Sequence, residues 1–107
     1  MSLIISNFDR YKIRYVSGSI GNGASINLAS SSGGIGELIF LATTPIPANQ
    51  LSETGLPFLF FERVRFRDVV TILREEKPLL LVFDTETKVG WIQTGEFEPI
   101  GEAEPTG

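Results

Sequence analysis

The chain has 107 residues, the size of one domain, and its 42% apolar and 21% charged residues form a globular balance that argues against global disorder. It contains neither cysteine nor histidine, which excludes disulfides, thiol nucleophiles, zinc sites built on those side chains, histidine acid–base catalysis and haem ligation by histidine within this chain. Nine basic against thirteen acidic residues give a net charge of −4, the wrong sign for a general nucleic-acid binder.

The first residues, Met1-Ser2-Leu3-Ile4-Ile5-Ser6, hold too short an apolar stretch for a signal peptide and lack a basic flank. The longest apolar runs are four or five residues, far below the ~18 of a membrane span. The expected location is cytoplasmic, with no membrane contact. Arg10-Tyr11-Lys12-Ile13-Arg14-Tyr15-Val16 alternates at period two, the pattern of a strand with one buried face. Tyr11, Ile13 and Tyr15 share one side of it and Arg10, Lys12 and Arg14 the other. Asn22-Gly23 tolerates positive φ and predicts a hairpin turn into a second strand, Ala24–Leu28.

Ser30–Gly34 reads as a flexible loop before a third strand, Gly36–Ala42. From Thr43 to about Leu56 the chain is irregular, with Pro45 and Pro47 holding their predecessors extended. A connection of this length is either a functional loop or a plain crossover between strands that are not neighbours. Phe58–Phe61 reads as a strand buried on both faces. Apolar residues at Phe66, Val69, Val70 and Leu73 then follow the spacing of one helical stripe, predicting a helix from Phe66 to Glu76 that Pro78 ends, with Ile72 outside the stripe. Leu79–Phe83, a polar turn at Asp84–Lys88 and Val89–Thr94 complete an order of roughly β-β-β-β-β-α-β-β. One domain spanning 1–107 is expected, its tail from about 99 to 107 mobile.

A helix of about eleven residues is only ~16 Å long. The stretches 38–42, 58–61 and 79–83 carry apolar side chains on both faces, and four or five such side chains left in water would forgo on the order of 1.5–3 kcal/mol each. The expected fold is therefore α+β, a strongly curled antiparallel sheet with one amphipathic helix. A homodimer is expected to cover what the helix does not.

Few residues carry chemistry. The serines lack a histidine base and a Gly-x-Ser-x-Gly elbow. The glycine clusters lead into strands rather than helix N-termini, so they mark turns, not phosphate loops. Among the carboxylates, Glu96 with Glu98 and Asp84 with Glu86 could share a face or a turn, with too few ligands for a calcium site. No catalytic, cofactor or metal residues are assigned. The chain is expected to be non-enzymatic.

The basic stripe is the candidate binding surface: Arg10, Lys12 and Arg14, with Tyr11, Tyr15 and Trp91 beside them, and Arg63 and Arg65 at the same period. Residues 1–77 hold eight basic and seven acidic side chains, while 78–107 hold one and six. The cations could pair with the C-terminal glutamates within the chain or across a dimer, keep an outer face soluble, or track a phosphate backbone while the aromatics stack bases. The leading expectation is a small homo-oligomeric binding domain. The alternative is a single-stranded nucleic-acid binder using the same basic and aromatic face, disfavoured by net charge.

The segment Phe66–Pro78, with the tail Glu98-Pro99-Ile100-Gly101-Glu102-Ala103-Glu104, resembles small uncharacterised bacterial single-domain proteins with an "LLRNEKP" helix end and an "EPVGEGE" tail. That resemblance covers roughly the last 40 residues and implies no activity. The strand-rich layout with one helix is also loosely similar to single-strand-binding folds of the Whirly kind, a likeness of layout that carries no function.

Overall fold

The computed structural model describes residues 2–16, 23–42 and 45–95. Six strands precede the helix and two follow: β1 (Leu3–Phe8), β2 (Arg10–Tyr15), β3 (Gly23–Ser30), β4 (Gly33–Leu41), β5 (Gln50–Leu51), β6 (Pro57–Glu62), α1 (Phe66–Glu75), β7 (Leu79–Asp84) and β8 (Gly90–Thr94). A 3₁₀ turn at Arg63–Arg65 leads into α1. The class is α+β, as the patterning predicted. The strands form two sheets, one of three in the order β1-β7-β8 and one of five in the order β2-β3-β4-β6-β5.

The expected strong curl is not found, because neither sheet is closed or curled. The apolar faces are hidden by layering instead. The chain changes sheet at Asp9, so β1 pairs with β7 while β2 pairs with β3. The two sheets then meet face to face where glycine leaves room. A Cβ on Gly36 of β4 would lie 2.5 Å from Leu81 Cδ2 of β7, and one on Gly90 of β8 would lie 2.4 Å from Leu59 Cδ2 of β6. Ile26, Leu28, Leu38, Phe40, Leu59, Leu81 and Phe83 fill the space between, closed on another side by Val69 and Leu73 of α1. Two sheets and a helix bury a shared core without either sheet having to close on itself.

Within the larger sheet β4 and β6 are parallel neighbours. The long connection is thus a crossover, as one reading had it, but between adjacent strands. A parallel pair cannot be joined by a tight turn and needs a dozen or so residues. The serine stretch is tighter than expected: Ser30 pairs with Gly33 across Ser31–Ser32, and Gly33 has φ 121°, which only glycine adopts without strain. Of the predicted Asn22-Gly23 turn, Asn22 lies outside the described residues and Gly23 is the first residue of β3; the antiparallel β2–β3 pairing that the turn implies is present.

Helix α1 follows the predicted stripe: Val69 and Leu73 are buried, Phe66 and Val70 half-buried and Ile72 exposed. It ends at Glu75, one residue early, because Glu76 is already extended, with its N–H still donating to the Ile72 carbonyl at 3.0 Å. The turn between β7 and β8 is organised by Asp84, whose Oδ1 accepts from the N–H of Glu86 at 2.9 Å and of Thr87 at 3.4 Å.

The Glu86 bond is the main reason that the Asp84 carboxyl is held below its usual pKa, with Thr87 adding to it and burial opposing it. Its stabilisation is fully present above the ordinary carboxylate pKa of about 3.9 and is lost as pH falls through the lowered folded value. Comparing urea unfolding of the wild type with that of Asp84→Asn at pH 6 and at pH 2.5 is expected to show a gap that narrows in acid. A gap independent of pH contradicts this role.

Candidate binding surface

The stripe named from the sequence is strand β2, the outermost strand of the larger sheet. All six of its residues are exposed. Directly paired residues of an antiparallel ladder project to the same face, so the β2–β3 register assigns each side chain. Tyr11, Ile13 and Tyr15 lie opposite Leu28, Ile26 and Ala24, which belong to the core. Arg10, Lys12 and Arg14 lie opposite Ala29, Asn27 and Ser25 on the outer face. Cations and aromatics of this strand therefore point to opposite sides, as the alternation required.

The inner row continues the core outward without being covered. Ile26 and Leu28 are fully buried, while their neighbours Ile13 and Tyr11 are 41% and 38% exposed. Tyr15 is tied down at its ring: it stacks on Phe66 at 5.2 Å between centroids, and Phe66 meets Phe40 edge-on at the same distance. Arg63 lies 4.8 Å over the Tyr15 ring and donates from Nη2 to the phenol oxygen at 2.8 Å. Arg63 thus joins the tyrosine side rather than the cationic row. Arg65 is exposed in the 3₁₀ turn before α1.

Trp91 stands apart from these residues. It lies in β8 of the smaller sheet, opposite Val82, with its Nε1 donating to Gln93 Oε1 at 2.7 Å. Val82 is flanked on its other side by Ile5, so Ile5, Val82 and Trp91 form a row across the outer face of that sheet, with exposed Leu3 beside it. Phe8, a further aromatic near the stripe in sequence, is buried. The basic and aromatic face expected from the sequence is therefore divided among two faces of one sheet and a third on another.

On the outer row, Arg10 faces Asp9 at 3.8 Å in an exposed pair that contributes little. Among the described residues Lys12 and Arg14 make no ion pair. The glutamates at 96, 98, 102 and 104, considered as their partners, lie outside the described residues. Ser25, opposite Arg14, is buried with no hydrogen-bond partner for its Oγ.

A cleft of about 840 Å³ adjoins the start of β2. Phe8, Leu73, Leu79 and Tyr11 provide apolar lining, and Asp9, Arg10, Arg74, Glu75, Glu76 and Lys77 bring charges of both signs. Sequence reading missed it, because three segments far apart in the chain (7–11, 30–31 and 73–79) meet only in the folded molecule. The connection from 43 to 56, read from the sequence as a functional loop or a crossover, contributes β5 and Asn49, whose side chain accepts from Phe60 N–H at 2.7 Å and donates to the Lys88 carbonyl at 2.9 Å. Its Asn49 clamps two elements of the scaffold together.

Of the carboxylate candidates in the last third of the chain, Asp84 and Glu86 are described, and turn amides hold the Asp84 carboxyl below its usual pKa rather than raising it toward a general acid. Among the described residues no three acidic side chains come together as a metal site, and no helix is long and apolar enough to cross a membrane. Comparison of the chain with protein-family models, with curated proteins and with solved structures finds no match.

Proposed function

We propose that this chain is a small, non-enzymatic, homo-oligomeric interaction domain that binds an anionic polypeptide partner along β2. The observation that carries the reading is an outermost strand with all six residues exposed, presenting Arg10, Lys12 and Arg14 in one row. Two of these cations lack an ion pair among the described residues. A row of cations on a fixed backbone steers and selects an anionic partner. The alternative, a single-stranded nucleic-acid binder, would want aromatics and cations on one surface. Tyr11 and Tyr15 instead project away from the cationic row. Self-association draws support from a separate place, the exposed Leu3, Ile5 and Trp91 around Val82 on the smaller sheet.

Fluorescence anisotropy with a labelled Glu-rich peptide and a labelled oligo-dT, at 20 and 200 mM salt, tests the reading. Light scattering of the unliganded chain gives its mass in the same buffers. The expected result is peptide binding that weakens with salt and falls at least tenfold in Arg10→Ala/Lys12→Ala/Arg14→Ala, in a species of about twice the 11.8 kDa chain mass. No binding of either probe at 20 mM salt, or binding unaffected by the triple substitution, overturns it. Tighter binding of oligo-dT with a steep salt slope moves the assignment to nucleic acid.

A further inference from the structure

The mode of binding can be read one level deeper, from the backbone of β2, in an inference that rests on the proposed function. The Val16 N–H donates to the Gly23 carbonyl at 3.1 Å, which makes Val16 and Gly23 a hydrogen-bonded pair in register with the β2–β3 ladder. Such pairs alternate along antiparallel strands. Arg14, Lys12 and Arg10 therefore turn their main-chain groups toward β3, and Tyr11, Ile13 and Tyr15 turn theirs to the open side. Among the described residues no strand lies on that side.

The same three residues hold their side chains on the inner face, beside the fully buried Ile26 and Leu28. One row of β2 thus offers hydrogen bonds and an unfinished apolar face, and the other offers positive charge.

We propose that β2 binds its partner by strand addition, taking an antiparallel extended segment that alternates acidic and apolar residues. The apolar residues of that segment sit opposite Tyr11, Ile13 and Tyr15, exchange main-chain hydrogen bonds with them and extend the core by one strand. Its acidic residues sit opposite Arg10, Lys12 and Arg14 in the non-hydrogen-bonded pairs, where side chains approach most closely. A second copy of β2 is the wrong occupant, because antiparallel pairing of the strand with itself brings cations against cations. Charged residues on an outer strand ordinarily prevent pairing. Here they exclude like-charged strands while leaving an acidic one complementary.

Backbone N-methylation separates strand addition from simple charge attraction. Four peptides of eight residues suffice: one alternating Glu with Val or Ile, an isomer with the acids and apolar residues in two blocks, and two copies of the first N-methylated at either the apolar or the acidic residues. Titrated against the full chain, the parent and the acid-methylated peptide are expected to bind alike. The block isomer and the apolar-methylated peptide are expected to bind at least tenfold more weakly, and Lys12→Glu is expected to weaken the parent by a similar factor. Equal affinity for all four peptides leaves the anionic-partner reading standing and overturns strand addition. Loss confined to the acid-methylated peptide overturns the antiparallel arrangement. Failure of every peptide at 20 mM salt removes both proposals.

Discussion

Replacing Phe40 by alanine is expected to remove about 3–5 kcal/mol of unfolding free energy, the usual cost of deleting a buried phenyl ring. Phe40 is fully buried near the end of β4, stacked on Phe61 at 5.2 Å and edge-on to Phe66 at 5.2 Å. Its loss opens a cavity where the larger sheet meets α1, and it undoes the aromatic chain through Phe66 to Tyr15 that fixes one end of β2. Domains are stable by only about 5–15 kcal/mol, so this single change consumes much of the margin. Urea unfolding read by tryptophan fluorescence and extrapolated to water measures it. Phe40→Leu, which keeps most of the bulk, is expected to lose less. A cost below about 1 kcal/mol for the alanine variant would contradict the central place given to this ring.

Gly23→Ala is expected to produce the other large loss, at or above the top of the ~1–3 kcal/mol range for overpacking. A Cβ at this position would sit 1.9 Å from the Phe40 carbonyl oxygen and 3.1 Å from its carbon. The obstacle is main chain, held in register by the Gly23–Leu41 pairing, so no side-chain rotation relieves it and β3 must shift relative to β4. Gly34→Ala, on the same β3–β4 ladder, supplies the comparison. Its Cβ would meet nothing closer than the Leu28 carbonyl oxygen at 3.9 Å, and the change is expected to stay within about 0.5 kcal/mol. Equal effects at the two positions would contradict the close approach of β3 to β4.

Much of the local structure is legible in the residues themselves. The alternation from Arg10 to Val16 predicts both the strand and the division of its side chains, because side-chain direction in a strand has period two whatever the surroundings. The stripe of Phe66, Val69, Val70 and Leu73 predicts which side of α1 meets the core for the same reason at a helical period. The two-residue strand β5 at Gln50–Leu51 has no such signal. It exists through its pairing with Pro57 and Phe58 and carries no periodicity of its own. The strong curl was inferred from too many apolar strands for one helix. That count was sound, but it could not distinguish a sheet folded over itself from two sheets stacked together.

The candidate surface divides in the same way. That Arg10, Lys12 and Arg14 share a row follows from sequence spacing. That Trp91 does not join them could not be read there, because β8 belongs to the other sheet.

The amino-acid order by itself determined the α+β class, the absence of thiol and imidazole chemistry, and the two-sided character of β2, since each follows from composition or from the geometry of a single element. Only the tertiary structure decided that β1 and β2 part company at Asp9, that β4 and β6 run parallel, and that β2 is outermost with the main-chain groups of Tyr11, Ile13 and Tyr15 turned outward. These depend on which segments pair across long stretches of chain, and pairing is settled by fitting all the apolar faces into one core at once, a condition no single segment contains.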